Sequence, residues 1–289
     1  METIAFYGAG MLGSGFVQAL RRRGVDVHVW NRTFEKAKAL EQYGAKAFES
    51  AAEASRGVSR VHLCLRSDES VDSTLNAALE GIATGTPVID HTTVLPQNVE
   101  PRMQRLRERG LPFLHAPVFM GPPNAAESTG LMLASGDPQV FERVRKFLEP
   151  MTGTLWYLGN RSDTAAVFKL MGNAMILAVI GGLNDMFLIA QASGIGRQTA
   201  YTLFEHFNPV GQIAGRGKRM ADGDYSPAWT LDMALKDADL MLQTASGYDL
   251  RVIAAIERLL RDASERGLGA SDLGAIAQVP ASAAAAASR

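Results

Sequence analysis

The chain has 289 residues, enough for about two domains that each bury a core. Its 29 basic and 30 acidic residues nearly cancel, and no dense Lys/Arg stripe with interleaved aromatics occurs, so the footprint of a nucleic-acid binder is missing and a small-molecule partner is expected. The single cysteine, Cys64, excludes an internal disulfide and fits a reducing compartment; beside Val61, Leu63 and Leu65 it reads as an inert core residue.

In chain order, short β-rich runs alternate with amphipathic stretches: strands at 4–8, 25–30 and 58–65, helices at 11–23, 33–43 and 69–79. This is the βαβ rhythm of a parallel sheet. Residues 88–90, 131–135 and 155–158 add strands, and 98–109 and 138–148 add helices, with Gly24, Gly44 and Gly110 where helix ends call for a left-handed residue. After about residue 161 the strand signal stops, and 165–183, 199–207, 227–245 and 250–266 carry helical periodicity. The chain enters an apolar run with no basic segment before it, so no secretion signal is expected and the cytoplasm is the expected compartment. Lys169, Asn173, Asn184 and Asp185 cut the longest apolar stretch, leaving no uninterrupted span of about 18 residues, so no membrane association is expected. The closing "ASAAAAASR" reads as a frayed tail without a function.

The stretch "IAFYGAGMLGSG" sets Gly8, Gly10 and Gly13 in G-x-G-x-x-G spacing after a strand and at the opening of a helix. Such a turn is tight at the first glycine, lets backbone approach a pyrophosphate at the second, and packs helix on strand at the third; the phosphate then lies on the helix N-terminus, here Met11 and Leu12. A site for the unphosphorylated ribose carries an acid near the end of the second strand. Here "VWNRTFEK" offers Asn31, Arg32 and Thr33 instead. A guanidinium and a hydroxyl suit a 2′-phosphate, so NADP (NADPH) is the expected cofactor. The competing reading has Thr33 capping the next helix and Arg32 solvated. Leu65, closing the third strand run, joins the cofactor set.

The expected fold is therefore an α/β amino-terminal Rossmann domain, doubly wound on a mostly parallel sheet, at residues 1–161. An all-α domain follows at 162–289, joined through a long interdomain helix. No metal site is expected.

Five stretches together resemble the β-hydroxyacid dehydrogenases, which include 3-hydroxyisobutyrate dehydrogenase and the glyoxylate/succinic semialdehyde reductases and are related to 6-phosphogluconate dehydrogenase and the imine reductases. They are "IAFYGAGMLGSG", "DHTTVLP" from Asp90, "HAPVFMG" from His115, "KLMGN" from Lys169 and "LKDADLM" from Leu235. The resemblance implies a site between the two domains, a homodimer or homotetramer through the helical domain, and a small carbonyl or hydroxyacid substrate. It makes Lys169 the catalytic acid/base with Asn173 beside it, both also touching substrate. Thr93 and Lys236 fall near the nicotinamide, and Asp237, with His115, Phe119, Met120 and Gly121, at the substrate.

Physical chemistry supports the lysine independently. Residues four apart share a helix face, so the Lys169 ammonium and the Asn173 amide can meet one oxygen. Hydride delivery to a carbonyl puts negative charge on that oxygen, which the ammonium stabilises and protonates. The competing reading is a lysine snorkelling to solvent. Lys236 and Asp237 also read as an exposed neighbouring pair.

The chain departs from the family pattern Asp-Ala-Pro-Val-Ser-Gly-Gly: His115 replaces the acid, Phe119 the serine and Met120 a glycine, and Pro122 and Pro123 bring no amide hydrogens. A bulkier, less polar substrate is expected; the competing reading turns Phe119 and Met120 into the core and leaves an ordinary carboxylate to Arg216 or Lys218. The expected activity is an NADPH-dependent reductase of an aldehyde, semialdehyde or keto acid. The alternatives are an imine reductase, whose members usually lack the helix lysine, and an NADPH-binding sensor without turnover.

Overall fold

The computed structural model describes residues 2–279. The closing Ala/Ser tail lies outside them. The chain divides into two compact units after Asn173.

The first unit opens with β1 (Thr3–Tyr7), α1 (Met11–Arg22), β2 (Asp26–Trp30), α2 (Phe34–Lys38) and β3 (Lys46–Phe48). It continues through α3 (Ala51–Ala54), β4 (Val61–Leu63), α4 (Asp68–Ala78), β5 (Val88–Asp90), α5 (Pro96–Glu108) and β6 (Phe113–His115). These six strands form one all-parallel sheet in the order β3-β2-β1-β4-β5-β6. Ile4 to Tyr7 are fully buried without alternation, as a strand covered on both faces requires. Phe6, Phe16, Leu114 and Val144 fill one side of the sheet, and Tyr7, Val61, Leu75 and Val99 the other. The strand order reverses between β1 and β4, so a crevice opens beyond their carboxyl ends.

The strands expected at 131–135 and 155–158 do not extend this sheet. After β6 come β7 (Val118–Phe119), α6 (Pro122–Glu127), β8 (Leu131–Ala134), α7 (Pro138–Leu148) and β9 (Thr154–Tyr157). β8 pairs antiparallel with β7 and parallel with β9 in a separate three-stranded sheet, tied to the first by a bridge between His115 and Ser135. β3, β6 and β7 had no expected counterpart.

One polar chain crosses the apolar interior. Arg60 Nε donates to His62 Nε2 (2.9 Å), His62 Nδ1 to His91 Nε2 (3.0 Å), and His91 Nδ1 to the carbonyl of Ala116 (2.8 Å). Each ring accepts on one nitrogen and donates from the other, so the network assigns both as neutral. Phe6 and Phe16 stack on the two imidazoles.

The long helix α8 (Thr164–Ala192) runs unbroken across the division at Asn173. The expected interruptions do not disqualify it, because it is long and apolar enough to cross a membrane by length and composition. In the second unit the single helix expected at 199–207 is two, α9 (Arg197–Tyr201) and α10 (Leu203–His206), with the Thr202 hydroxyl donating to the Thr199 carbonyl at the break. α11 (Lys218–Asp222) precedes α12 (Leu231–Thr244), which starts after Pro227 with Thr230 accepting from the Met233 amide (3.4 Å). α13 (Arg251–Ala263) ends in a wider turn at Ser264–Leu268. Leu231, Ala234 and Ala238 pack on Leu260 and Ala263. The buried Asp185 carboxylate accepts from the amides of Val252 and Ile253, both at 2.9 Å, and so caps α13 from α8.

Candidate active site

The glycine turn has the geometry its spacing requires. Gly8 takes φ +110°, and a Cβ there would meet the Cys64 carbonyl oxygen at 2.1 Å. At Gly13 a Cβ would stand 1.9 Å from the Gly8 oxygen, so the helix can pack this close only without a side chain. Gly10 faces open space, and the first turn of α1 carries no acid. Backbone amides and the helix dipole thus meet no obstruction at Gly10 and no acid in the first turn, which fits a pyrophosphate.

This turn, Met11 and Leu12 line a cleft of about 470 Å³ together with Asn31, Arg32, Thr33 and Leu65. Asn31 is a brace: its Oδ1 accepts from the Ala9 amide (3.1 Å) and its Nδ2 donates to the Thr33 carbonyl (2.9 Å). Thr33 precedes α2, but its side chain makes no capping bond, so the hydroxyl stays available to a ligand. Arg32 is exposed and forms no ion pair among the described residues of this unit. Cys64 is half-buried in the cleft wall rather than in the core; burial, reinforced by Asp90, pushes its thiol up to about 12, so it stays protonated.

The loop after β5 is fixed through Thr92. The Asp90 carboxylate accepts from the Thr92 amide (2.9 Å), and the Thr92 hydroxyl accepts from the Leu65 amide (3.0 Å). Thr93, the expected cofactor contact, is exposed beyond that brace and outside the lining of the cleft. Arg102, almost fully buried on α5, pairs with Asp68 and Asp72 (both 2.9 Å) and ties the same region to α4.

A second cluster forms around α8. Lys169 Nζ donates to Asn173 Oδ1 at 2.9 Å and stands 4.1 Å from the Phe119 ring centroid. Burial lowers the lysine's pKa from its ordinary value, in the direction an acid/base working near neutrality needs. The remaining loop residues need correction. His115 is buried in β6, its Nδ1 3.7 Å from Asp90 Oδ2, so it faces the interior and not a substrate. Met120 packs against the main core. The Gly121 amide, expected to face substrate, donates to Asn124 Oδ1 (2.9 Å).

In the second unit Lys236 and Asp237 form a neighbouring ion pair at 2.9 Å, while Leu235 and Ala238 pack into that unit's core. Arg216 pairs with Asp272 (2.8 Å) and Lys218 with Asp222 (2.6 Å), so both cations proposed for a carboxylate are already paired.

The sequence profile of the NAD binding domain of 6-phosphogluconate dehydrogenase matches residues 3–159. The chain belongs to this family. It is 27% identical over 282 residues to glyoxylate/succinic semialdehyde reductase 1 of Arabidopsis thaliana, covering 94% of this chain and 96% of that protein. It is also 27% identical to the 3-sulfolactaldehyde reductase of Escherichia coli, covering 96% and 95%. Among solved structures, the imine reductase from Myxococcus stipitatus in complex with NADP+ has a TM-score of 0.89 over 96% of this chain and 99% of that one, at 19% identity, a likeness of fold. The relatives support an NAD(P)-dependent oxidoreductase.

In this member of the 6-phosphogluconate dehydrogenase family the cofactor cleft holds more than the motifs indicated. Lys36 and Arg66 add two cations, and Ser70, Ser73 and Thr74 on α4 add hydroxyls. Lys36 was findable as a cation of the short helix that follows Arg32 and Thr33. Arg66 carried no signal, because its place depends on where β4 ends.

Proposed function

We propose that this chain is an NADPH-dependent reductase of small carbonyl compounds in which Lys169 gives the proton to the carbonyl oxygen. The observation that carries the reading is the Lys169–Asn173 hydrogen bond on one face of α8, with the ammonium half-buried. Because Asn173 Oδ1 accepts from Lys169, its Nδ2 is left to donate to the same substrate oxygen, and the two residues orient and neutralise it together. The nicotinamide, when bound, supplies the hydride to the carbonyl carbon. Lys169 then passes its proton to the oxygen, and in the reverse direction the neutral amine takes it back. NADPH over NADH is supported by Arg32, by the unengaged Thr33 hydroxyl and by the lack of a carboxylate at the end of β2.

A homodimer or homotetramer is supported by α8, where Met171, Leu177 and Ile180 are 57%, 71% and 59% exposed in the single chain, apolar side chains of the kind that line an interaction surface. Light scattering on the purified chain tests it.

The activity test follows NADPH and NADH oxidation with semialdehydes, keto acids, uncharged aldehydes and cyclic imines. Turnover of carbonyls, faster with NADPH, supports the reading. Turnover of imines alone makes the chain an imine reductase, and cofactor binding without turnover makes it a sensor.

A further inference from the structure

Phe119 and Lys169 come from distant parts of the first unit and meet face to charge, the ammonium 4.1 Å from the ring centroid. The edge of the ring is seated on the backbone of α8 at Gly172, where a Cβ would stand 2.3 Å from Cζ, so the ring reaches this depth only because that position is glycine. The ammonium's other partner is Asn173 Oδ1, and no carboxylate of residues 2–173 pairs with it. In the loop that follows the ring, Gly121 to Pro123 offer an anion no free amide hydrogen. The Gly121 amide donates to Asn124, Asn124 Nδ2 donates to the Thr129 hydroxyl (3.0 Å), and Pro122 and Pro123 have no amide hydrogen.

We propose that Phe119 is the positioning and specificity-determining residue of this site: its face holds the Lys169 ammonium, and its apolar surface beside that ammonium selects carbonyl compounds bearing an alkyl or aromatic group, and no carboxylate, next to the reacting carbon. The substrate half rests on Lys169 being the proton donor. The ring quadrupole attracts the cation and keeps it over the face. A substrate carboxylate brought here loses its water and finds one cation already shared with the ring, whereas an apolar group gains in proportion to the area it covers.

Two measurements on the full chain test this. Competitive acetylation of Lys169 across pH, read by mass spectrometry, needs no turnover and compares wild type with Phe119→Leu and Phe119→Tyr. The leucine fills similar space without an aromatic face, so Lys169 should titrate about 0.5–1 pH unit lower, while the tyrosine variant stays with wild type. Unchanged titration in Phe119→Leu overturns the positioning role. In the second, kcat/KM with NADPH is measured for benzaldehyde and succinic semialdehyde in wild type and Phe119→Ser. Wild type should favour benzaldehyde by about tenfold or more, and the serine variant should narrow that ratio. A wild type that favours the semialdehyde overturns the specificity role. No turnover of any carbonyl, with the titration still following Phe119, refutes the proton-donor reading and the substrate half with it, and upholds the ring's hold on the ammonium.

Discussion

His62 and His91 share one hydrogen between their rings, Nδ1 to Nε2 at 3.0 Å, deep inside the parallel sheet. Burial, reinforced by the positive charge of Arg60, holds His62 well below the ordinary imidazole range, and burial moves His91 down to about 4. Both stay neutral in the folded chain at pH values where the unfolded chain takes up protons. Stability is therefore full above about pH 6.5 and falls as the pH drops from there toward 4. Urea titrations at pH 7.5, 6 and 5 should show the midpoint falling at each step. A His62→Leu/His91→Phe double variant should flatten that dependence, since carboxylates protonate only at lower pH.

Replacing Arg32 by alanine should raise KM for NADPH by about tenfold or more and leave KM for NADH nearly unchanged, because only the phosphorylated ribose loses a charge-assisted contact, about 1.5–3 kcal/mol. Steady-state kinetics with both cofactors decide it. Equal effects on the two would return Arg32 to the status of a solvated side chain.

Lys169→Ala should lower kcat by about a hundredfold or more with cofactor affinity intact, as expected for loss of the proton donor. Asn173→Ala should cost less, since it orients and does not transfer. Calorimetric titration of NADPH alongside the rate assay separates binding from chemistry, and a lysine variant with wild-type turnover rules the residue out as donor.

Gly172→Ala should destabilise the chain by about 1–3 kcal/mol despite alanine's better helix propensity, because the new methyl occupies the place of the Phe119 ring. In a Phe119→Leu background the penalty should shrink. Thermal unfolding of the four-member cycle measures the coupling, and strictly additive effects would show that the ring and the glycine do not depend on one another.

Asp185→Ala removes the buried acceptor of two amides that open α13, and should lower stability by about 1–3 kcal/mol. Asp185→Asn keeps one acceptor oxygen and should fall between. Denaturant midpoints give the order.

Much of the site was already legible as a string of residues, for a common reason: those features are local. The continuous apolar run Ile4–Tyr7 marks a strand covered on both faces, three glycines at fixed spacing mark the turn that follows it, and the missing acid in "VWNRT" can be read without knowing the fold. Lys169 and Asn173 are four apart on a helix, and helix geometry alone brings them together. What followed β6 was decided elsewhere. Pro112 and Pro117 interrupt the apolar run around β6 and β7 and weaken its strand signal, and the direction of every side chain between His115 and Gly121 went with it. Packing turned His115 inward beside Asp90, laid Met120 on the core, gave the Gly121 amide to Asn124, and set Phe119 under an ammonium from another element. A short irregular segment takes its side-chain directions from whatever the rest of the chain packs against it, and only the assembled tertiary structure contains that information.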